Sequence, residues 1–301
     1  MRWTRQVDGR GFGPQLHEVG PNLALSLGGV WTSLLDPATG TELWNDHEYP
    51  GAILAGDLIV LWKDGGTGGG RLGVLDPRTA RPVWWHAARS VPIAATATGR
   101  HVQVISQDGT AVVHARDTGA KVLEVGGIPV GDGFDGRPVL SVAGDLAFVF
   151  GRGNVTALRL PMLDRLWTTR MGDATEVNRC GTRLCVTGSA GLTALDQQNG
   201  NVVWSGPAWV AWHNGLAASR SGQVAPLDPE TGAVTGPEMS GWLAGGLLLR
   251  RSGEEHYVID TVTGRIRGWQ RAAGGWLRCT STGTHLACPA GGDSVTVWRL
   301  S

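Results

Sequence analysis

Short runs of apolar residues alternate with glycine-rich turns along the whole chain. Residues 51–55, 58–62, 71–75 and 81–85 form four such runs in succession, each bounded by residues that favour turns. Runs of this length with turn signals on both sides are typical of β-strands. The 47 Gly and 15 Pro residues interrupt the chain throughout, and no long run has apolar side chains at helical spacing. The pattern predicts an all-β protein.

A motif recurs at the third turn of each group of runs: an aliphatic residue, Asp, two residues, Thr-Gly, three residues and Trp. The copy from Leu35 to Trp44 is the clearest, and other copies are degraded. Where the motif is lost, a later Thr-Gly, a Trp or a strand-like run still fixes the position of the Asp, which we call the mark. The eight marks are Asp36, Asp76, Ala115, Arg159, Asp196, Asp228, Asp260 and Arg299.

The marks lie 32 to 44 residues apart. A repeat of this period with four strands per unit predicts one propeller blade for each mark. The last period has three strands, whereas the chain begins with a lone strand that carries Trp3. We therefore predict a single domain over residues 1–301, an eight-bladed propeller whose last blade is closed by the N-terminal strand. Seven blades are the alternative, if one irregular period is a loop.

The repeated residues are predicted to be structural. Asp followed by Thr-Gly suits a tight turn, because Asp accepts hydrogen bonds from backbone N–H groups ahead of it and Gly tolerates positive φ. Each Trp is expected to pack in the core between blades while its N–H binds a backbone carbonyl. The predicted set is Trp3, Asp36, Thr39, Gly40, Trp44, Asp76, Trp84, Trp167, Asp196, Gly200, Trp204, Asp228, Thr231, Gly232, Asp260, Thr263, Gly264 and Trp269.

The motif Asp-x-x-Thr-Gly-x-x-x-Trp resembles the tryptophan-docking motif of the pyrroloquinoline-quinone (PQQ)-type propeller repeat family. That resemblance covers the whole chain and implies the propeller fold. The family includes quinoprotein dehydrogenases, an outer-membrane assembly lipoprotein and bacterial propellers of unknown role. Resemblance to the quinoprotein dehydrogenases would imply a catalytic Asp, a calcium ion and a disulfide between adjacent cysteines. This chain has no adjacent cysteines and no matching calcium ligands, so only the structural residues carry over.

Four cysteines form two close pairs, Cys180 with Cys185 and Cys279 with Cys288. We expect each pair to bridge the first two strands of a blade, with the two cysteines directly opposite each other, and to form a disulfide. Reduced thiols or zinc binding are the alternatives. Disulfides persist outside the cytoplasm. We therefore expect an extracytoplasmic protein whose signal or anchor is absent from this chain; a cytoplasmic location is the alternative.

Charge and composition narrow the function further. The 26 basic and 26 acidic residues balance, which argues against a nucleic-acid partner. No apolar stretch is long enough to cross a membrane. The sequence lacks common catalytic and phosphate-binding motifs, and His86 and His213 are read as ordinary packed or exposed histidines. We predict no cofactor, no resident metal and no catalytic residue.

The leading hypothesis is therefore a non-enzymatic, monomeric binding or scaffold propeller that binds a protein or small ligand on one face. The longest irregular connections, residues 6–16, 124–138 and 168–176, are expected to form the contact surface. A sensor domain of a membrane receptor kinase is one alternative, and a PQQ-dependent oxidoreductase is another. The candidate binding residues are Asp132, Phe134, Asp135, Arg170 and Asp173.

Overall fold

The protein folds as eight four-stranded antiparallel sheets arranged as an eight-bladed propeller, as the repeat predicts. The structure is a computed structural model. It describes residues 2–6, 14–27, 31–45, 51–64, 69–130, 139–151, 153–172, 174–244, 246–252, 255–271, 279–282, 284–289 and 294–300.

Blades 1 to 7 each run from an inner strand to an outer strand in chain order, whereas the outer strand of blade 8 is the first strand of the chain. Blades 1 and 2 are β2 (Pro14–Val19), β3 (Asn22–Leu27), β4 (Trp31–Leu35), β5 (Glu42–Asn45) and β6 (Gly51–Ala55), β7 (Leu58–Asp64), β8 (Gly70–Asp76), β9 (Arg81–Ala88). Blades 3 and 4 are β10 (Pro92–Thr98), β11 (His101–Ser106), β12 (Ala111–Ala115), β13 (Lys121–Val125) and β14 (Val139–Ala143), β15 (Leu146–Gly151), β16 (Asn154–Arg159), β17 (Asp164–Arg170). Blades 5 and 6 are β18 (Ala174–Cys180), β19 (Arg183–Gly188), β20 (Gly191–Asp196), β21 (Val202–Gly206) and β22 (Trp209–His213), β23 (Leu216–Ser219), β24 (Gln223–Pro226), β25 (Met239–Ser240). Blades 7 and 8 are β26 (Trp242–Ala244), β27 (Leu247–Ser252), β28 (Glu255–Asp260), β29 (Ile266–Arg271) and β30 (Thr280–Ser281), β31 (His285–Pro289), β32 (Ser294–Arg299), β1 (Arg2–Gln6).

The two chain ends share blade 8, which closes the ring. Strand β1 pairs with β32 over five residues, from Arg2 opposite Trp298 to Gln6 opposite Ser294. The indole N–H of Trp3 then donates to the carbonyl of Pro37 in blade 1, at 3.3 Å. Closure pairs the strands that would otherwise leave open sheet edges at the two ends of the chain.

The repeats of this chain share the geometry of the turn between the third and fourth strands. In blade 1, the Asp36 carboxylate accepts hydrogen bonds from the N–H groups of Ala38 (2.8 Å) and Thr39 (2.9 Å), and Gly40 adopts a φ of +73°. The turns that begin at Asp196, Asp228 and Asp260 repeat the carboxylate contacts. The sequence motif therefore encodes one turn, as predicted.

In blades 1, 2, 4 and 5 a tryptophan eight residues after the mark joins the blade to the next one. The indole N–H of Trp84 donates to Arg116 O (2.8 Å), that of Trp167 to Gln197 O (2.9 Å) and that of Trp204 to Pro229 O (2.9 Å). In each case the acceptor is the residue after the next blade's mark. We call the place eight residues after a mark the docking position, and the boundary it closes a seam.

The rings of Trp3, Trp84, Trp167 and Trp204 lie against the glycine four residues after the next mark. Blade 2 has Ala80 at that place. A Cβ atom built on Gly119, Gly200 or Gly232 would lie 2.5 to 2.7 Å from an indole carbon. Glycine is needed there for two reasons, because φ is positive and because a side chain would overlap the ring. We call these residues the receiving glycines.

Burial of the tryptophans follows this geometry, with one exception. Trp84 and Trp167 are buried, and Trp3, Trp44 and Trp204 are half-buried. Trp269 was predicted to be core, but that prediction is wrong: its side chain is 63% exposed. Trp269 lies nine residues after its mark instead of eight, so Gly268 takes the docking position opposite Val258. Trp269 consequently points to the other face of the sheet.

Both predicted disulfides are present. Cys279 and Cys288 have Cα atoms 4.2 Å apart, and the register of β30 and β31 places them opposite each other, as expected. Cys180 and Cys185 are also bonded, with a Cα separation of 5.7 Å. Here the predicted register is wrong, because Cys180 lies opposite Arg183. A two-residue turn closes this hairpin, so the bond crosses it diagonally.

The strand directions give the propeller two distinct faces. The turn face carries the hairpins between first and second strands and the Asp-Thr-Gly turns. The loop face carries the connections between second and third strands and those from one blade to the next. The three connections expected to form the contact surface all belong to the loop face.

Candidate functional site

The structure describes only part of the candidate contact surface. Asp132, Phe134, Asp135 and Asp173 lie outside the described residues, so their convergence stays a prediction. Arg170 is described: it is exposed at the end of β17, at the loop face. Its position agrees with the expected surface, although none of its neighbours in the candidate set can be placed beside it.

A cleft of about 560 Å³ opens between blades 2 and 3, beside the start of the loop from residue 124 to 138. One wall is the outer strand β9 and the residues that follow it. The other wall is the face that β11, β12 and β13 turn towards blade 2. Its polar lining includes His86, Arg89, Ser106, Asp108, His114 and Glu124.

The floor of the cleft holds a histidine where six of the other blades have an aliphatic residue and blade 8 has Trp298. His114 directly precedes its mark and is buried, at 7% exposure. Its Nδ1 lies 2.8 Å from Gly119 O and must donate, because a carbonyl only accepts. In the neutral ring Nε2 is then an acceptor. The six aliphatic residues are Leu35, Leu75, Leu158, Leu195, Leu227 and Ile259.

His86 completes an aromatic cluster with His114 and Trp84. Its Nε2 donates to Thr118 O at 3.1 Å, and its ring lies against the receiving glycine Gly119. The two imidazole rings are nearly parallel, with centroids 6.4 Å apart, and the Trp84 ring lies 5.4 Å from His114. Both histidines are therefore held by backbone carbonyls of the same turn, which orients them rigidly in the cleft.

The electrostatics of the cleft favour uncharged imidazole at its floor. Burial is the largest influence and lowers the pKa of His114, and the hydrogen bond to Gly119 O opposes it in part. Nearby His86 and Lys121 lower this pKa further. A neutral His114 offers a hydrogen-bond acceptor beside an aromatic surface.

The rim of the cleft carries charges of both signs. Lys121 Nζ lies 2.9 Å from a carboxylate oxygen of Glu124, and this contact lowers the pKa of Glu124. Arg89 and Asp108 add one charge of each sign. Asp108 also accepts a hydrogen bond from the Thr110 N–H at 3.0 Å, which fixes the turn at the loop face. The rim charges therefore balance, two of each sign, above an aromatic floor.

Sequence reasoning treated His86 as ordinary and did not single out His114. The sequence did contain a signal. Of the eight residues that directly precede a mark, six are aliphatic, and the other two are His114 and Trp298. Within the described residues, no three metal-ligating side chains come together. The same part of the chain holds no helix that could span a membrane.

Comparison with known proteins places the chain in a family. The PQQ_2 family, described as outer membrane protein assembly factor BamB, matches residues 29–180, just over half of the chain. The chain belongs to this family. The resemblance to PQQ-type propellers inferred from the docking motif is thereby confirmed.

Two solved structures share the fold. BamB from Moraxella catarrhalis matches with a TM-score of 0.62 and 18% identity over 99% of this chain and 98% of that chain. The computationally designed Ika8 protein matches with a TM-score of 0.62 and 13% identity over 98% of both chains. At these identities the two structures establish the fold alone. No curated protein matches the chain.

Replacing His114 with leucine should remove part of the acid sensitivity of the fold. Because burial lowers the pKa of His114, the unfolded chain takes up the proton first as pH falls. The stability that neutral His114 contributes is present above about pH 6.5 and is lost below it. We expect His114→Leu to show a smaller drop in unfolding midpoint between pH 7.5 and 5 than the wild type. Urea unfolding at several pH values measures this.

The matched control is His101→Leu, a half-buried histidine of the same blade that lies outside the cleft. At pH 7.5 the free energy of unfolding of His114→Leu should lie within about 1 kcal/mol of the wild-type value, because most other blades hold an aliphatic residue at this position. An unchanged pH dependence in His114→Leu would contradict the role given to this histidine.

Proposed function

We propose that this protein is a non-enzymatic binding propeller exposed outside the cytoplasmic membrane, and that its blade 2–3 cleft binds a segment of a protein partner. The cleft carries the proposal, because it combines a rigid aromatic floor, a free imidazole acceptor and a rim of both charges. It adjoins the loop from residue 124 to 138, which was predicted as a contact surface. Membership of a family described as an assembly factor supports a scaffolding role.

The two disulfides support the extracytoplasmic location. Disulfides form and persist in oxidising compartments and are rare where thioredoxin and glutathione keep thiols reduced. Cys180, Cys185 and Cys288 are buried, so reducing agents would reach these bonds poorly in the folded protein.

Protein purified from its native host without reductant should contain no free thiol. Denaturation followed by reduction should then release four thiols, because all four cysteines are paired. Alkylation and intact-mass spectrometry before and after reduction measure both states. Four alkylated cysteines in the denatured but unreduced protein would contradict the extracytoplasmic assignment.

Site-specific crosslinking tests the cleft directly. A photoreactive amino acid placed at Asp108 or Glu124, both exposed at the rim, should give a covalent adduct with a discrete partner in the native host. The same group placed at Ala38, exposed on the turn face, is the matched control. Adducts that form equally well from Ala38, or only from Ala38, would overturn the assignment of the cleft.

A further inference from the structure

The seam between blades 6 and 7 has no docking tryptophan, which is also true of the seams after blade 3 (Leu123) and blade 7 (Gly268). Its docking position is occupied by Gly236, which packs against the Pro226 ring. Pro237 follows and has no N–H to donate. The outer strand β25 is reduced to Met239 and Ser240. Blade 6 therefore supplies no indole to blade 7.

The turn of blade 7 nevertheless has the receiving geometry. The Asp260 carboxylate accepts hydrogen bonds from the Val262 N–H (3.0 Å) and the Thr263 N–H (2.8 Å), as in the filled turns. Gly264 has a φ of +68°, within a few degrees of the receiving glycine Gly232 at +72°.

Within the part of the chain that the structure describes, the space in front of this turn is open. A Cβ atom built on Gly264 would meet no described atom within 4 Å, whereas one on Gly232 would lie 2.7 Å from the Trp204 ring. Among the described residues, no hydrogen bond reaches the carbonyl of Thr261. That carbonyl corresponds to Pro229 O, the acceptor of the Trp204 indole.

Exposed apolar side chains lie in this turn and on the strand that follows it. Val262 is 77% exposed and Ile266 is 60% exposed. Trp269 lies beside Tyr257 on the sheet face towards blade 6. Contiguous exposed apolar groups are typical of interaction surfaces.

Blade 2 shows what covers the equivalent surface when a seam is filled. Trp85 holds the place in blade 2 that Trp269 holds in blade 7, nine residues after the mark. In that seam the docking residue Trp44, the turn residue Ala80 and Trp85 all pack on one core cluster. The surface of blade 7 is thus the acceptor half of a seam, and a tryptophan on an extended strand is its matching half.

We propose that blade 7 binds a tryptophan side chain presented by an extended segment of a protein partner, with the indole lying on Gly264 and against Trp269. This inference rests on the proposed function, since a binding scaffold has such a partner. The carbonyl of Thr261 selects an indole over a phenyl ring, because it needs an N–H donor.

The chain itself supplies the probe. A fluorescein-labelled peptide with the sequence of residues 200–206, Gly-Asn-Val-Val-Trp-Ser-Gly, carries the docking strand of blade 5. Fluorescence anisotropy with the folded protein should show saturable binding. The same peptide with alanine in place of tryptophan should bind about tenfold more weakly or not at all, as expected when an interface loses a central tryptophan.

Two protein variants locate the binding site. Gly264→Ala places a methyl group where the ring would lie, and Trp269→Ala removes the aromatic neighbour. Each should weaken binding of the tryptophan peptide by about fivefold or more. Val122→Ala, at an exposed outer-strand residue of blade 3, is the matched control and should bind as the wild type does. Circular dichroism confirms that all three variants are folded.

Equal binding of the two peptides, or unchanged binding by Gly264→Ala and Trp269→Ala, would overturn the proposal. A wild-type dimer that Trp269→Ala converts to a monomer in sedimentation would assign the surface to a second copy of this chain and would also overturn it. The crosslinking test at Asp108 decides the proposed function separately. Adducts at the cleft together with a failed peptide test would leave the binding scaffold standing and remove only the blade 7 site.

Discussion

Replacing Trp167 with alanine should destabilise the propeller by about 3–5 kcal/mol, the usual range for a buried tryptophan. The side chain is 8% exposed and packs at the seam between blades 4 and 5, where its ring centroid lies 6.0 Å from that of Phe148. Its truncation opens a cavity and also leaves Gln197 O without its indole donor. Urea unfolding followed by circular dichroism measures the loss.

Trp269→Ala is the control for this experiment, because it removes the same atoms from a side chain that is 63% exposed. We expect its free energy of unfolding to stay within about 0.5 kcal/mol of the wild type. Trp167→Phe keeps a ring but loses the N–H, so it should fall between the two. Equal losses of unfolding free energy in Trp167→Ala and Trp269→Ala would show that the docking position does not determine how much a tryptophan stabilises the fold.

Blade number and ring closure could be predicted from sequence because each depends on a repeated local signal. The turn that begins at Asp36 uses hydrogen bonds within four residues, so its sequence carries its geometry. The same signal located blades whose mark is not Asp, such as Arg159, because the docking Trp167 lies at the expected distance. Closure followed from the strand that carries Trp3 and has no inner neighbours in its own part of the chain.

The errors arose where one residue of register decides the outcome. Trp269 was assigned to the core because it lies near the docking position, but the position belongs to Gly268 and the adjacent side chain points the other way. Cys180 was placed opposite Cys185, yet the chain turns over two residues and the bond is diagonal. The cysteine offset depends on the pairing of two strands and is not visible in one strand's sequence. The position of Trp269, nine residues after its mark, could have been counted from the sequence.

The candidate site was harder to find than the fold because it depends on contacts between blades. His86 and His114 belong to different blades and lie 28 residues apart. They meet because Gly119 of one blade receives the Trp84 ring of the other. A comparison of equivalent positions among the repeats shows that His114 is unusual. It does not show which side chain lies beside it.

The two glycines Gly232 and Gly264 offer a matched test of the docking geometry. Both follow Thr in the same kind of turn and have φ values of +72° and +68°. Alanine at either site incurs a backbone penalty of about 1 kcal/mol for a left-handed conformation. The chain tolerates that penalty at Ala80, whose φ is +53°. The two positions differ in what lies in front of them.

Gly232→Ala should therefore destabilise the protein by about 2–4 kcal/mol, whereas Gly264→Ala should destabilise it by about 1 kcal/mol. In Gly232→Ala the added methyl would lie 2.7 Å from the Trp204 ring, which must shift and weaken its hydrogen bond to Pro229 O. In Gly264→Ala the methyl meets none of the described residues within 4 Å. Urea unfolding of the two variants gives the difference directly, and the double variant with Trp204→Ala isolates its cause. In the Trp204→Ala background, Gly232→Ala should lower the free energy of unfolding by no more than Gly264→Ala does in the wild type, because only the backbone penalty remains. A larger loss at Gly232 in that background would show that the strain comes from the turn and not from the indole.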